Sequence, residues 1–254
     1  MFIPRTARKR SSTDLYHVMA RGINKEDIFH DKNDKKVMQL LIKKYLEKVS
    51  VEIHAYCIMS NHLHILIKAE MAELSKYMAY ILSAFAEYYN RKKNRSGYVF
   101  QSRYKSQSIE DERYYWSCLR YIHMNPVKAN LTKDIRSYLF SSFGEFSSPN
   151  SNIIHENAKR RYKETFKGQK EFLWFHNQPN RILLDDVESD MDIVRVDISM
   201  EILADLQEKA SGIPMKEVLK MPLFKTNFRR EIRKTLHLSD KKTDVLIKQI
   251  EKVL

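Results

Sequence analysis

Two histidines separated by one residue, His62 and His64, have the type and spacing of a metal-binding pair. Side chains alternate across a β-strand, so these two would project from the same face. Leu63 and Ile65 would then fill the opposite face, as expected of a sheet packed on a core. Neutral imidazole is the commonest metal ligand in proteins, and a divalent cation would satisfy the nitrogens of two buried rings. A hydrogen-bonded core pair is the alternative interpretation.

A second candidate group, the phenol of Tyr121, belongs to a helix predicted to start near Glu110 and to end near Asn125. At about 3.6 residues per turn, the apolar stripe of this helix consists of Tyr115, Cys118, Leu119 and Ile122. Tyr121 falls at the edge of the stripe, where its ring could pack while its hydroxyl reaches a cleft. Asn125 follows one turn later on the same flank, and Pro126 is predicted to break or kink the helix. A tyrosine that only packs is the alternative.

The elements that must position these groups are strands and helices in mixed order. The predicted strands cover residues 15–20 and 51–58, the histidine strand, and a strand pair or ribbon over 98–108. One predicted helix starts at Asn33 or Asp34, and a second covers residues 71–89. The second strand and the histidine strand are separated by a short turn and should form a hairpin. This order predicts an α+β fold, in which an antiparallel sheet carries helices on one face.

The clearest linker is Ser147–Asn152, which is rich in serine, asparagine and proline. Two domains are therefore predicted, over residues 1–146 and 153–254, and the second has a mostly helical composition. Residues 229–243 could form a helix-turn-helix with its turn at 237–239. A plain helical bundle is the alternative for this region.

The charge balance indicates a polyanionic partner. The chain of 254 residues has 45 Lys and Arg against 32 Asp and Glu, a net charge of +13. Nucleic acid is the expected partner, and an anionic membrane surface would fit the same balance. Cys57 and Cys118 lie in apolar elements and are predicted to be reduced thiols of a cytoplasmic protein. The basic amino terminus is followed by no apolar run, which argues against a signal peptide, and no stretch is apolar enough to span a bilayer.

Several motifs occur together in an order that resembles a known family. They are Leu15–Gly22, Asn61–Ile67, Gly97–Tyr104, Leu119–Ala129 and a closing segment over 137–143. Together they resemble the HUH-type single-tyrosine transposases of bacterial insertion sequences, and above all the branch called REP-associated tyrosine transposases. The resemblance covers roughly residues 10–145.

This resemblance implies a fold, a cofactor and a reaction. The fold would be a ferredoxin-like antiparallel sheet with helices. His62, His64 and Asn125 would hold Mg²⁺ or Mn²⁺, and Tyr121 would attack single-stranded DNA to form a 5′-phosphotyrosine. Zinc also suits two histidines, but Mg²⁺ or Mn²⁺ better suits phosphate chemistry with open coordination positions.

The expected partner is single-stranded or hairpin DNA with REP-like repeats, bound by a monomer or a homodimer. Arg21, Arg95, Arg103 and Lys105 are the candidate DNA-binding residues, because a basic surface must track the phosphate backbone. The basic run that contains Arg95 could instead be a solvated helix end. His17 is interpreted as structural, and His123 as a surface residue from its helical phase, with an extra ligand or proton carrier as its alternative role.

Two other functions fit parts of the sequence. A domesticated transposase could bind nucleic acid without cutting it, although His62, His64, Tyr121 and Asn125 are all present. A metal-dependent phosphoesterase with two His-x-His or His-x-Thr motifs would need a second motif, which the sequence lacks.

Overall fold

The computed structural model describes residues 10–148, 153–178, 190–236 and 238–254, without the side chains of 190–194 and 197. The described residues form two compact units. One contains the described part of Met1–Ile109 together with Cys118–Asn177, and the other contains Glu110–Ser117 with the described part of Gln178–Leu254. The predicted domain boundaries at 146 and 153 stay a prediction. Part of the predicted linker and His237 of the candidate turn lie outside the described residues.

The first unit is built on a four-stranded antiparallel sheet. Its strands are β1 (Leu15–Arg21), β2 (Glu52–Ile58), β3 (His62–Lys68) and β4 (Lys105–Ile109), in the order β2-β3-β1-β4. Helix α1 (Lys32–Leu46) joins β1 to β2, and α2 (Met71–Lys92) joins β3 to β4. A β-α-β-β-α-β sequence with this strand order is the ferredoxin-like arrangement. The predicted α+β fold class is confirmed.

Strand alternation gives the sheet one apolar face and one face with functional side chains. Val18, Leu63 and Ile65 are all buried. In the antiparallel register of β1 and β3, Met19 lies opposite His64 and Arg21 lies opposite His62. Because cross-strand partners share a face, the odd-numbered residues of β1 and the even-numbered residues of β3 lie on the same side.

The N-cap of helix α1 lies two or three residues earlier than predicted. Asp31, not Asn33 or Asp34, is the N-cap residue, and its carboxylate accepts the backbone N–H of Asp34 at 2.8 Å. The Asp34 carboxylate in turn accepts the N–H of Asp31 at 3.3 Å, which completes a capping box. Lys92 at the end of α2 binds both carboxylates, so this cap also ties the two helices together.

The segment over 98–108 does not form the predicted strand pair. Only β4 is a strand there, and it pairs with β1. Ahead of β4 a single bridge joins Gly22 and Phe100, flanked by a 2.9 Å hydrogen bond from Gln101 N to Arg21 O. The chain therefore extends the edge of β1 with backbone contacts instead of folding back on itself.

Helix α3 (Glu112–Lys128) continues through Pro126, so the predicted end of the helix at this proline is wrong. Its last turn is closed by hydrogen bonds from Ala129 N to Asn125 O and from Leu131 N to Pro126 O, both 2.9 Å. Pro126 has no backbone N–H, so the helix loses one hydrogen bond there. Because this position is near the end of the helix, the loss disrupts little.

The remaining described elements are helical, as predicted. The first unit continues with a 3-10 turn (Ser142–Phe146) and with α4 (Glu156–Thr165) and α5 (Gln169–His176). The second contains α6 (Asp190–Lys209), α7 (Met215–Val218), α8 (Pro222–Leu236) and α9 (Asp240–Val253). Among the described residues, no helix has the length and apolar character needed to cross a membrane. Cys57 and Cys118 are buried thiols.

Candidate active site

Strand β3 places the two histidine rings side by side. The centroids of His62 and His64 lie 4.7 Å apart, with the rings nearly perpendicular. Nδ1 of His62 lies 2.5 Å from the side-chain oxygen of Asn61, whose amide nitrogen donates to Lys25 O at 3.0 Å. The amide oxygen can only accept, so Nδ1 of His62 carries the proton and the lone pair of the neutral ring is on Nε2. In this tautomer His62 can bind a metal through Nε2 while Nδ1 is held by the outer hydrogen bond.

A third histidine, His17 of β1, belongs to the same cluster. Its Nε2 lies 3.0 Å from Nδ1 of His64, and the two rings stack with centroids 5.1 Å apart. From its sequence context alone, His17 is predicted to be structural. The alternation within Leu15–Ala20 fixes which face His17 occupies, but its contact with His64 depends on the register between β1 and β3, which the sequence does not reveal.

His64 is neutral in this environment. It is fully buried. Burial, and then the neighbouring charges that His62, His17 and Arg21 would carry, hold the pKa of His64 well below its usual range. Since a neutral imidazole is the form that binds a metal, the surroundings of His64 keep it ready for that role at neutral pH.

Helix α3 brings Tyr121 to the histidines from a distant part of the chain. The Tyr121 ring is edge-on to His64 with 5.5 Å between centroids, and edge-on to His17 with 5.8 Å. The ammonium group of Lys128 lies 5.2 Å from the Tyr121 ring centroid. Only 1% of Tyr121 is exposed, so the phenol lies inside the protein and not in an open cleft.

Asn125 stands one helical turn after Tyr121 and is also buried. Its side-chain nitrogen donates to Tyr121 O at 3.0 Å. This bond fixes the orientation of the amide, because the nitrogen is committed to the helix backbone and the oxygen is the atom that remains to act as a ligand.

The donor set near Tyr121 fits a metal site that is completed by other oxygen ligands. Within the described parts of the chain, no group of three or more His, Cys, Asp or Glu side chains could hold a metal ion. The two imidazoles are the protein donors that the structure places side by side, and the Asn125 amide stays a predicted third ligand. A hard divalent cation that keeps positions for water and phosphate oxygens suits such a set better than a closed zinc site does.

The four candidate DNA-binding residues differ in their surroundings. Arg21 lies in register with His62, next to the cluster. Arg95 donates to Tyr98 O at 3.0 Å, and its guanidinium lies 5.7 Å from the Tyr89 ring centroid. Arg103 and Lys105 are exposed, just before and within β4.

His123 is not the surface residue predicted from its helical phase. It is fully buried, with Nδ1 at 3.0 Å from His176 Nε2 and Nε2 at 2.8 Å from Ser142 Oγ. Burial, and then the charge that His176 would carry, lower the pKa of His123 well below its usual range. Its face of α3 is covered by segments much later in the chain, which the local pattern of α3 does not encode.

Comparisons with known proteins agree with these motifs. Residues 11–125 match the model of the IS200-like transposase family. A solved structure of a REP-associated tyrosine transposase bound to a REP hairpin is 18% identical, with a TM-score of 0.50 over 59% of this chain and 88% of that chain. No curated protein sequence matches. The resemblance to the single-tyrosine transposases that the sequence motifs indicate is therefore confirmed, and the family match extends over residues 11–125 of this chain.

Proposed function

We propose that this protein is a metal-dependent DNA transposase that cleaves and rejoins single-stranded or hairpin DNA through a 5′-phosphotyrosine intermediate. The observation that carries the proposal is the contact of the Tyr121 ring with His64, at 5.5 Å between centroids. A phenol from α3 and two imidazoles from β3 meet although they come from different motifs. The transposase family match supports the same chemistry.

The proposed reaction is a transesterification at phosphorus. The Tyr121 oxygen forms a bond to phosphorus while the bond from phosphorus to the 3′ oxygen breaks, and the phenolic proton ends on the released 3′-hydroxyl. The phosphate then links Tyr121 to the 5′ end of the downstream strand. Attack by a 3′-hydroxyl reverses the step and frees Tyr121. Covalent catalysis of this kind conserves the energy of the phosphodiester bond for rejoining.

His62, His64 and Asn125 would hold the divalent cation, Mg²⁺ or Mn²⁺. When bound, the cation supplies positive charge that neutralises the phosphate and aligns it for in-line attack. The bond from His62 Nδ1 to Asn61 fixes the orientation of the His62 ring, and His17 does the same for His64. Such outer hydrogen bonds commonly orient metal-ligating histidines.

Substrate entry requires a local movement. Because Tyr121 is 1% exposed, a phosphate reaches its oxygen only after neighbouring side chains shift. The burial of Tyr121 would also protect the protein–DNA ester from water.

Two observations support DNA as the partner: the net charge of the chain and the ligand of the similar solved structure. The net charge of +13 favours a polyanion, and the solved relative is bound to a REP hairpin. Arg21, Arg103 and Lys105 are the residues through which we expect this chain to contact the phosphate backbone. Arg95, which already binds Tyr98 O, would contribute its charge from the end of α2.

The direct test is covalent capture. The protein is incubated with hairpin-containing single-stranded DNA and Mg²⁺ or Mn²⁺, and the products are separated under denaturing conditions. We expect a protein–DNA adduct that requires the metal, disappears with EDTA and is lost in Tyr121→Phe. The matched control is Tyr115→Phe, a buried tyrosine of the same helix. DNA binding without any adduct would support the alternative, a non-cleaving binding protein derived from a transposase.

A further inference from the structure

A continuous chain of buried hydrogen bonds lies behind the tyrosine helix. Tyr121 and His123 are two residues apart, so they point to opposite sides of α3, about 200° apart around its axis. Tyr121 faces the histidine cluster, whereas His123 faces Ser142 and His176. We define the His123 network as the hydrogen bonds that join Phe172, His176, His123, Ser142 and Tyr56.

The hydrogen-bonding roles within the His123 network follow from its two ends. His176 Nδ1 lies 2.7 Å from Phe172 O, and a carbonyl only accepts, so Nδ1 carries the proton. His176 Nε2 therefore accepts from His123 Nδ1 at 3.0 Å. Nε2 of His123 then accepts from the Ser142 hydroxyl at 2.8 Å, and Ser142 Oγ accepts the backbone N–H of Tyr56 in β2 at 2.9 Å. Each donor meets an acceptor while both imidazoles stay neutral.

Burial makes this arrangement specific. His123 and Ser142 are fully buried, and 2% of His176 is exposed. Aromatic side chains surround the network, and Phe143 and Phe172 stack with 5.3 Å between their ring centroids. In such an apolar setting a broken link leaves a polar atom without a partner, so only one rotation and depth of α3 satisfies the whole network.

We propose that His123 and His176 are positioning residues that hold α3 so that Tyr121 lies against His64. The effect of this positioning on cleavage rests on the proposed function, in which Tyr121 is the nucleophile. Ser142, Phe172 and His176 all follow the segment that matches the transposase family. The part of this chain beyond that match therefore supports the nucleophile through the back of its helix.

Aromatic packing alone could also hold α3, and two substitutions of His176 separate the explanations. His176→Phe keeps a ring in the aromatic cluster but removes the nitrogen that accepts from His123. His176→Gln keeps a side-chain oxygen that can accept the same bond. His54→Phe is the matched control, because His54 is a buried histidine near the start of β2 that bonds to Glu52 outside the network.

The experiment measures single-turnover cleavage of hairpin DNA at saturating DNA and Mn²⁺, together with the DNA dissociation constant. We expect His176→Phe to slow cleavage by about tenfold or more, since small misplacements of a reacting group cost large factors in rate. The DNA dissociation constant should change by less than about twofold, which marks an effect on the reaction step and not on binding. His176→Gln should recover most of the rate, and His54→Phe should cleave like the unsubstituted protein.

Hydrogen–deuterium exchange of α3 gives a readout that needs no cleavage. We expect faster exchange of the α3 amides in His176→Phe than in His54→Phe or His176→Gln. If the unsubstituted protein forms no adduct, the proposed function fails, while this exchange pattern would still support the positioning of α3. Unchanged exchange and rate in His176→Phe would overturn the inference, and so would equal slowing by His176→Phe and His176→Gln.

Discussion

The ring of Tyr121 on α3 lies edge-on to His64 of β3, with 5.5 Å between the ring centroids. His17 contacts both residues, through a 3.0 Å hydrogen bond to His64 and a ring contact with Tyr121. The candidate nucleophile and a candidate metal ligand thus share a neighbour on β1. A change in His17 should therefore alter both metal binding and cleavage.

Replacing His17 tests the role of that shared neighbour. His17→Phe keeps an aromatic ring between His64 and Tyr121 but removes the hydrogen bond to His64 Nδ1. Loss of an outer hydrogen bond of this kind typically weakens metal affinity by about 10- to 100-fold. We expect a loss of this size in Mn²⁺ affinity by isothermal titration calorimetry. His30→Phe, which removes a histidine–tyrosine bond outside the cluster, is the control, and equal Mn²⁺ affinity in both variants would contradict the prediction.

Replacing His62 tests the ligand assignment itself. His62→Ala removes one imidazole of the pair, so we expect Mn²⁺ binding and metal-dependent adduct formation to be lost. DNA affinity in the absence of metal should stay close to that of the unsubstituted protein, because the basic residues are unchanged. Adduct formation that still depends on Mg²⁺ or Mn²⁺ in His62→Ala would count against His62 as a ligand.

The exposed cations next to and within β4 should contribute to DNA affinity through phosphate contacts. We expect Arg103→Ala and Lys105→Ala each to weaken hairpin binding and to lower the slope of log affinity against log salt by about one. Lys43→Ala removes an exposed cation of α1 and should leave the slope unchanged. Fluorescence anisotropy at several salt concentrations gives the slopes, and three identical slopes would refute this assignment.

The stability of the fold should fall in acid partly because of His176. Burial lowers the pKa of His176 from 6.5 to about 3 in the folded protein. A lowered folded pKa means that its stabilising contribution is complete above pH 6.5 and is lost as the pH falls toward 3. One such group changes the free energy of unfolding by about 1.4 kcal/mol per pH unit within that window.

His176→Gln removes this titration and keeps an acceptor for His123. Urea unfolding at pH 7, 6 and 5 should therefore show a flatter pH dependence for His176→Gln than for the unsubstituted protein. His54, a buried histidine outside the His123 network, contributes equally in both proteins and cancels in the comparison. Parallel curves over this range would show that His176 does not take up a proton on unfolding.

Local patterns were sufficient to predict β1, β2, β3 and the histidine pair, but the segment over 98–108, predicted as a strand pair, forms only β4. Strand alternation placed His62 and His64 on one face, and the order of elements gave the α+β class. The N-cap of α1 is Asp31 and not the predicted Asn33 or Asp34. A capping box depends on reciprocal hydrogen bonds between two residues, here Asp31 and Asp34, and residue type alone does not reveal them. Pro126 stays helical because it lies in the last turn of α3.

The rest of the site depends on contacts between distant segments. His17 meets His64 only through the register of β1 with β3, and no local pattern sets that register. His123 is buried by Ser142 and His176, which come from later segments of the chain. A helical phase taken from α3 alone therefore placed His123 at the surface.

Locating the DNA ester within the adduct is the most direct test of the proposed mechanism. Trypsin should cut after Arg120 and Lys128, and the resulting peptide, Tyr121–Lys128, contains Tyr121 as its only hydroxyl-bearing side chain. The proposed mechanism predicts that mass spectrometry of the nuclease-trimmed adduct finds the nucleotide on this peptide. A nucleotide on the preceding peptide, which carries Tyr114, Tyr115 and Ser117, or on any other part of the chain would contradict it.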